Sequence, residues 1–143
     1  MANRVLKALK YFEGGSNCAQ SVVMAYCGLF GVSAKKGCAL SAGFGGGIAG
    51  TRGMCGTVSA MIILAGLRFA ENKAELNGTI INMIKEFTDT AGTDNCKELL
   101  ARIKDLSITF PSAEARNAVK KFSRPCAKLV ILACEIIEKY LNV

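Results

Sequence analysis

Seven cysteines and no histidine occur in this chain of 143 residues, and these two counts bound the chemistry available to it. Without histidine the chain lacks the commonest general base, the commonest metal ligand and every Ser/His or Cys/His catalytic arrangement. Thiols, carboxylates, amines or a bound cofactor must do whatever chemistry takes place. Met1 to Glu13 is charged and has no apolar run of the kind a secretory leader needs. An odd number of cysteines without a leader argues against a disulfide framework. The expected setting is a reducing cytoplasm, with the thiols free, metal-bound or redox-cycling.

Four of the seven stand apart by position. Cys18, Cys55, Cys96 and Cys126 are separated by 37, 41 and 30 residues, and no Cys-x-x-Cys pair occurs. Zinc ribbons, zinc knuckles, bacterial ferredoxin loops and thioredoxin-type sites all depend on such pairs, so these modules are excluded. If the four meet, the tertiary fold must gather them from separate elements. Such a site could hold an iron–sulfur cluster, a zinc ion, or one or two redox-active disulfides.

The elements that would position them are helices. Apolar residues recur with helical period almost throughout, and no segment alternates convincingly over the length of a strand. A short amphipathic helix is expected over Arg4–Phe12, ended by Gly14-Gly15. Ser16 or Asn17 then caps a second helix reaching Phe30, and Ser33 caps a third to Ala42. A fourth helix runs from Gly53 to Ala70. It is apolar on nearly all sides, hence expected to be central, and too short to span a membrane. A fifth covers Lys73–Thr90, and a sixth is capped by Thr93 or Asp94 and runs through Lys104. Pro111 and Ser112 open a seventh to Phe122, and Ser123 with Pro125 opens the last, to Leu141. The expectation is a single all-α domain over residues 1–143.

On this reading the four cysteines all lie in, or within a residue of, the first turn of a helix. First-turn N–H groups lack partners within the helix, and the helix dipole adds positive potential. Both favour a thiolate, the form that ligates metals and attacks disulfides. Arg52, Lys97, Arg124 and Lys128 add charge of the same sign nearby in sequence. Cys27, Cys38 and Cys134 fall within helices among apolar neighbours and are expected to be small buried hydrophobes.

Gly43-Phe44-Gly45-Gly46-Gly47-Ile48-Ala49-Gly50 cannot be regular helix and is expected to be a loop. Gly45, Gly47 and Gly50 fit G-x-G-x-x-G, but a dinucleotide fingerprint needs a preceding strand, and a helical segment precedes this one. Thr51-Arg52 stands where a P-loop needs Lys followed by Ser or Thr. The loop instead leads into Cys55, where backbone N–H groups could form a nest for an anionic ligand, with Gly45, Gly46, Gly47 and Gly56 allowing its close approach.

With those residues in view, the sequence resembles the C_GCAxxG_C_C family, whose members are described as redox-active and carry four characteristic cysteines. The matching segments are Asn17-Cys18-Ala19-Gln20-Ser21, Gly43-Phe44-Gly45-Gly46-Gly47 and Cys55-Gly56-Thr57-Val58-Ser59-Ala60, followed by Cys96 and Cys126. Thr57 replaces the motif's alanine and Ala60 its closing glycine. The resemblance implies redox activity centred on Cys18, Cys55, Cys96 and Cys126.

The net charge of +7 is scattered, and aromatic residues do not alternate with it as a stacking surface for nucleic acid would require. No nucleic acid and no membrane span are expected. The leading reading is electron transfer through the four thiolates, with an iron–sulfur cluster ahead of a metal-free dithiol/disulfide couple. A redox partner protein would then be needed, and a homodimer fits the apolar content. The rival reading is a structural zinc domain that binds an acidic partner.

Overall fold

A computed structural model describes residues 2–108, 110, 113–121 and 124–143. Among them eight α-helices form and no strand does. They are α1 (Ala2–Glu13), α2 (Cys18–Tyr26), α3 (Ala34–Ser41), α4 (Gly56–Phe69), α5 (Lys73–Ala91), α6 (Cys96–Arg102), α7 (Ala113–Lys121) and α8 (Ala127–Leu141). The all-α expectation is met.

Helices α1 and α5 pack by apolar stripes. On α1 the buried positions are Val5, Ala8, Leu9 and Phe12, and on α5 they are Met83, Phe87 and Ala91, the spacing that puts side chains on one helical face. Helix α2 lies against α1, α3 and α4, and α8 touches α1, α2, α4 and α5. Ile131, Ile136, Ile137, Leu129 and Leu141 of α8 are completely enclosed, each stabilising the fold by roughly 1.5–3 kcal/mol relative to exposure. The first turns of α4 are equally enclosed, but the helix emerges into solvent at Leu67 and Arg68. The centre is therefore shared by α2, α4 and α8, and does not belong to α4 alone.

Several boundaries differ from the sequence reading, each for a local reason. The second helix stops at Tyr26 and tightens into a 3-10 turn over Cys27–Phe30, because Gly31 takes φ 78° and ends it. Helix α4 starts at Gly56 rather than Gly53, because Met54 is held in an isolated antiparallel bridge to Asn95. Helix α6 is capped by Asn95, not by Thr93 or Asp94: its side chain accepts the Glu98 N–H. That helix ends at Arg102, short of Lys104. Pro111, Ser112, Phe122 and Ser123, assigned to the ends of the last two helices, lie outside the described residues.

Candidate functional site

All four singled-out cysteines stand at helix N-termini. Cys18 is the first residue of α2, behind an Asn17 cap whose side chain accepts the Gln20 N–H at 2.8 Å while the Gln20 side chain accepts the Asn17 N–H at 3.1 Å. Cys96 is the first residue of α6. Cys55 and Cys126 are themselves the N-cap residues of α4 and α8. Neither uses its side chain as a cap, so both thiols are left for other partners.

The backbone bridge at Met54 and Asn95 draws two of these ends together. The Cys55 N–H donates to the Asp94 carbonyl at 2.7 Å, and the Cys96 N–H donates to the Gly53 carbonyl at 2.6 Å. The glycine loop closes the space between the helix ends. A methyl group on Gly56 would stand 2.5 Å from the Cys18 Sγ and 2.9 Å from the Phe44 carbonyl oxygen, so the start of α4 can meet α2 only as glycine. At Gly47 the φ of 69° and a would-be methyl 2.7 Å from the Cys96 Cβ impose the same residue. Gly45 abuts the Asn17 side chain, and the Gly46 N–H points at the Cys18 sulfur.

Electrostatic interactions link the four thiols. Ionised sulfurs would repel one another between Cys18 and each of Cys55, Cys96 and Cys126, and between Cys126 and Cys96. Cys18 is the thiol whose charge would interact with all three others. Positive charge surrounds the group. Arg52 donates from Nη1 to the Cys96 Sγ at 3.6 Å, and both Arg124 and Arg52 favour the ionised form of Cys126. Arg124 is fixed by stacking 3.7 Å above the Phe12 ring and by donating to the carbonyls of Phe12 and Ser16, which moors the start of α8 to the α1–α2 corner.

One expectation about these thiols is overturned. Helix N-termini were expected to favour thiolates, yet burial pushes the Cys18 thiol up, pushes Cys55 up to about 12 and pushes Cys126 up to about 11. Removing a sulfur from water costs its charged form more than the N–H groups and helix dipoles return. As free thiols at neutral pH, these three are protonated and slow as nucleophiles. All seven cysteines, each among the described residues, are free thiols.

Thr57 stands where the family motif has alanine. Its hydroxyl lies 3.1 Å from the Cys55 Sγ in a hydrogen bond, fully buried. The signal was present in the sequence as a hydroxyl two residues beyond the N-cap cysteine, a position that folds back on it. The remaining cysteines divide. Cys27 and Cys134 are buried as expected. Cys38 is only half-buried, because α3 turns Ala39 and Leu40 outward, and its sulfur accepts from the Gln20 side chain at 3.4 Å.

A soft donor set of four thiols suits iron–sulfur clusters, zinc or copper(I). A single tetrahedral zinc, with Zn–S near 2.3 Å, needs its sulfurs about 3.8 Å apart. Among the described residues no three cysteine, aspartate or glutamate side chains are grouped closely enough for one ion. The Gly46 N–H meets the Cys18 sulfur and the Arg52 guanidinium meets the Cys96 sulfur.

Fold and site together define an all-helical, cysteine-centred protein with a glycine loop packed among four helix ends. Residues 16–140 match the family described as "Putative redox-active protein (C_GCAxxG_C_C)", and the chain belongs to that family. No curated protein and no solved structure matches it. Among the described residues no helix is long and apolar enough to cross a membrane.

Proposed function

We propose that Cys18, Cys55, Cys96 and Cys126 form one redox centre that carries electrons through an iron–sulfur cluster. The observation that supports this reading most is the Cys18 sulfur, whose charge would interact with the other three thiols and which is met by the Gly46 N–H. Bound there, a cluster would supply a one-electron couple. The chain's own part is to provide four thiolate ligands from four helix ends and to surround them with compensating positive charge. Arg52 and Arg124 supply that charge, and Gly47 and Gly56 let the helix starts at Cys96 and Cys18 pack closely. The Thr57 hydroxyl holds the Cys55 sulfur in place. A partner protein with an acidic face suits the net charge of +7, and a reducing compartment suits seven free thiols.

Anaerobic purification followed by iron, sulfide and zinc analysis and a visible spectrum tests the proposal. Iron with matching sulfide and broad visible absorption, both lost in Cys18→Ser, is the expected result. A colourless protein with stoichiometric zinc would overturn it in favour of a structural zinc domain. If neither metal is present and thiols disappear in pairs on mild oxidation, the centre is a dithiol/disulfide couple instead.

A further inference from the structure

The glycine loop beside the cysteines has a backbone that its own sequence does not favour. Residues 46–50 all have positive φ, from 50° at Ala49 to 76° at Gly50, so the segment is one turn of left-handed helix. The Ala49 N–H donates to the Gly43 carbonyl at 2.8 Å, and the Gly53 N–H to the Gly47 carbonyl at 2.8 Å, which locks the turn. Glycine adopts this conformation freely, but a residue with a side chain is strained in it. Ile48, β-branched and at φ 71°, is the least suited of all.

Burial within the chain does not offset that strain. Ile48 is 47 % exposed and Ala49 is exposed beside it. The turn also stands against the cysteine centre: the Gly46 N–H meets the Cys18 sulfur, and Gly47 abuts the Cys96 Cβ. Arg52, exposed and itself at φ 64°, donates to the Cys96 sulfur at 3.6 Å. Leu40, 49 % exposed, lies in the last turn of α3, just before the 3-10 turn over Ala42–Phe44 to which Ala49 is bonded. The charge of this stretch has one sign. From residue 14 to residue 70 there is no aspartate or glutamate, while Lys35, Lys36, Arg52 and Arg68 fall within it. Glu98, two residues beyond Cys96, is engaged by the Thr93 hydroxyl at 2.6 Å. An apolar projection beside an arginine is complementary to a surface that is apolar at its middle and acidic around it.

We propose that the left-handed turn at residues 46–50 is the docking site of the redox partner, an acidic one-electron carrier protein, with Ile48 entering an apolar hollow on it and Arg52 facing its carboxylates. The proposal rests on the reading of the cysteines as a redox centre. Strain at functional contacts is the usual reason for a side chain to be kept where glycine would be easier. Held in a locked turn, Ile48 has little freedom left to lose when the carrier binds. Arg52 meets the carrier with the guanidinium donors not directed at Cys96. The carrier then lies against the loop whose inner side touches Cys18 and Cys96.

The test uses flavodoxin, an acidic flavin carrier, as the probe and the full chain as its target. Oxidised flavodoxin should shift the resonances of Ile48 and Ala49, less so as salt is raised, and this binding is read whether or not the thiols hold a cluster. Ile48→Gly should weaken binding by about tenfold and at the same time raise the urea midpoint, because the strain leaves with the side chain. In the transfer itself one electron passes from the flavin hydroquinone anion to the centre, leaving the neutral semiquinone, and no proton moves. Its rate at limiting carrier should fall by the same factor in I48G. No shift on adding flavodoxin, shifts confined to another face, undiminished binding by I48G or a lowered urea midpoint in I48G would each overturn the proposal. The first two outcomes need only the wild-type protein. Dithionite separates the two readings: a protein that dithionite reduces and flavodoxin does not bind fails as a docking site alone, and one that dithionite cannot reduce fails as a redox centre.

Discussion

The start and the middle of α8 carry the same side chain in opposite surroundings. At its start, Cys126 has Arg124 and Arg52 favouring its ionised form, with Cys18 and Cys96 nearby. Two turns on, Cys134 is completely buried beside the Tyr26 hydroxyl, with Glu138 and Glu135 opposing its ionisation. Burial is the first cause of the upward push on both thiols, to about 11 and about 12. What separates them is the sign of the neighbouring charge and the company of other thiols. A metal core bound by thiolates displaces their protons outright, and only the Cys126 end offers several sulfurs and the positive charge to balance them. Cysteine content alone therefore says little about function; the electrostatic setting of each sulfur says much more.

The most forceful way to break that comparison is to exchange sulfur for oxygen at each of the two positions. Cys126→Ser is expected to abolish the redox signal of anaerobically purified protein, and Cys134→Ser to leave its spectrum and midpoint potential unchanged. Loss of the signal in C134S would remove the distinction between the two positions.

A smaller effect sharpens the role of the close contacts. Gly56→Ala forces a methyl against the Cys18 sulfur and the Phe44 carbonyl and should destabilise the protein by about 2–3 kcal/mol in urea unfolding. Gly66, in the same helix with open space around its Cα, is the control. Gly66→Ala should stabilise by roughly 0.5–1 kcal/mol. Similar losses at both positions would show that the helix interior, not the cysteine contact, is what demands glycine.

The smallest expected effect lies at the acidic end. The Glu135 carboxyl is raised in the folded protein, so its contribution to stability is full below the ordinary carboxylate range and is lost as pH rises through the folded value. Glutamine cannot ionise. Relative to wild type, Glu135→Gln should therefore gain stability between about pH 4 and pH 7, measured as urea midpoints at the two values. A gain in the other direction would mean that the carboxylate is stabilised where it stands.

Much of this was legible in the sequence wherever the signal was local. Ser33 caps α3 as read, with its hydroxyl accepting the Lys36 N–H at 3.1 Å, and Gly92 ends α5 with φ 91°. The same cap and breaker signals put Cys18, Cys55, Cys96 and Cys126 at helix starts. What escaped the reading involves partners distant in the chain. The cap of α6 was misplaced because Asn95 also takes part in the bridge to Met54, 41 residues earlier. Cys38 was read as buried because Ala39 and Leu40 are apolar, yet nothing covers that face of α3.

The sequence by itself determined that the protein is helical and rich in cysteine, and which four of the seven stand at helix starts. Caps, glycine stops and apolar periods act over a few residues, and hydrogen bonding within one turn is enough to specify them. Only the tertiary structure decided that the charge of Cys18 would interact with the other three thiols, that burial holds Cys18, Cys55 and Cys126 protonated when free, and that Arg124 is moored on Phe12. Desolvation and charge depend on what packs around a group from every side, and no stretch of chain contains that information alone.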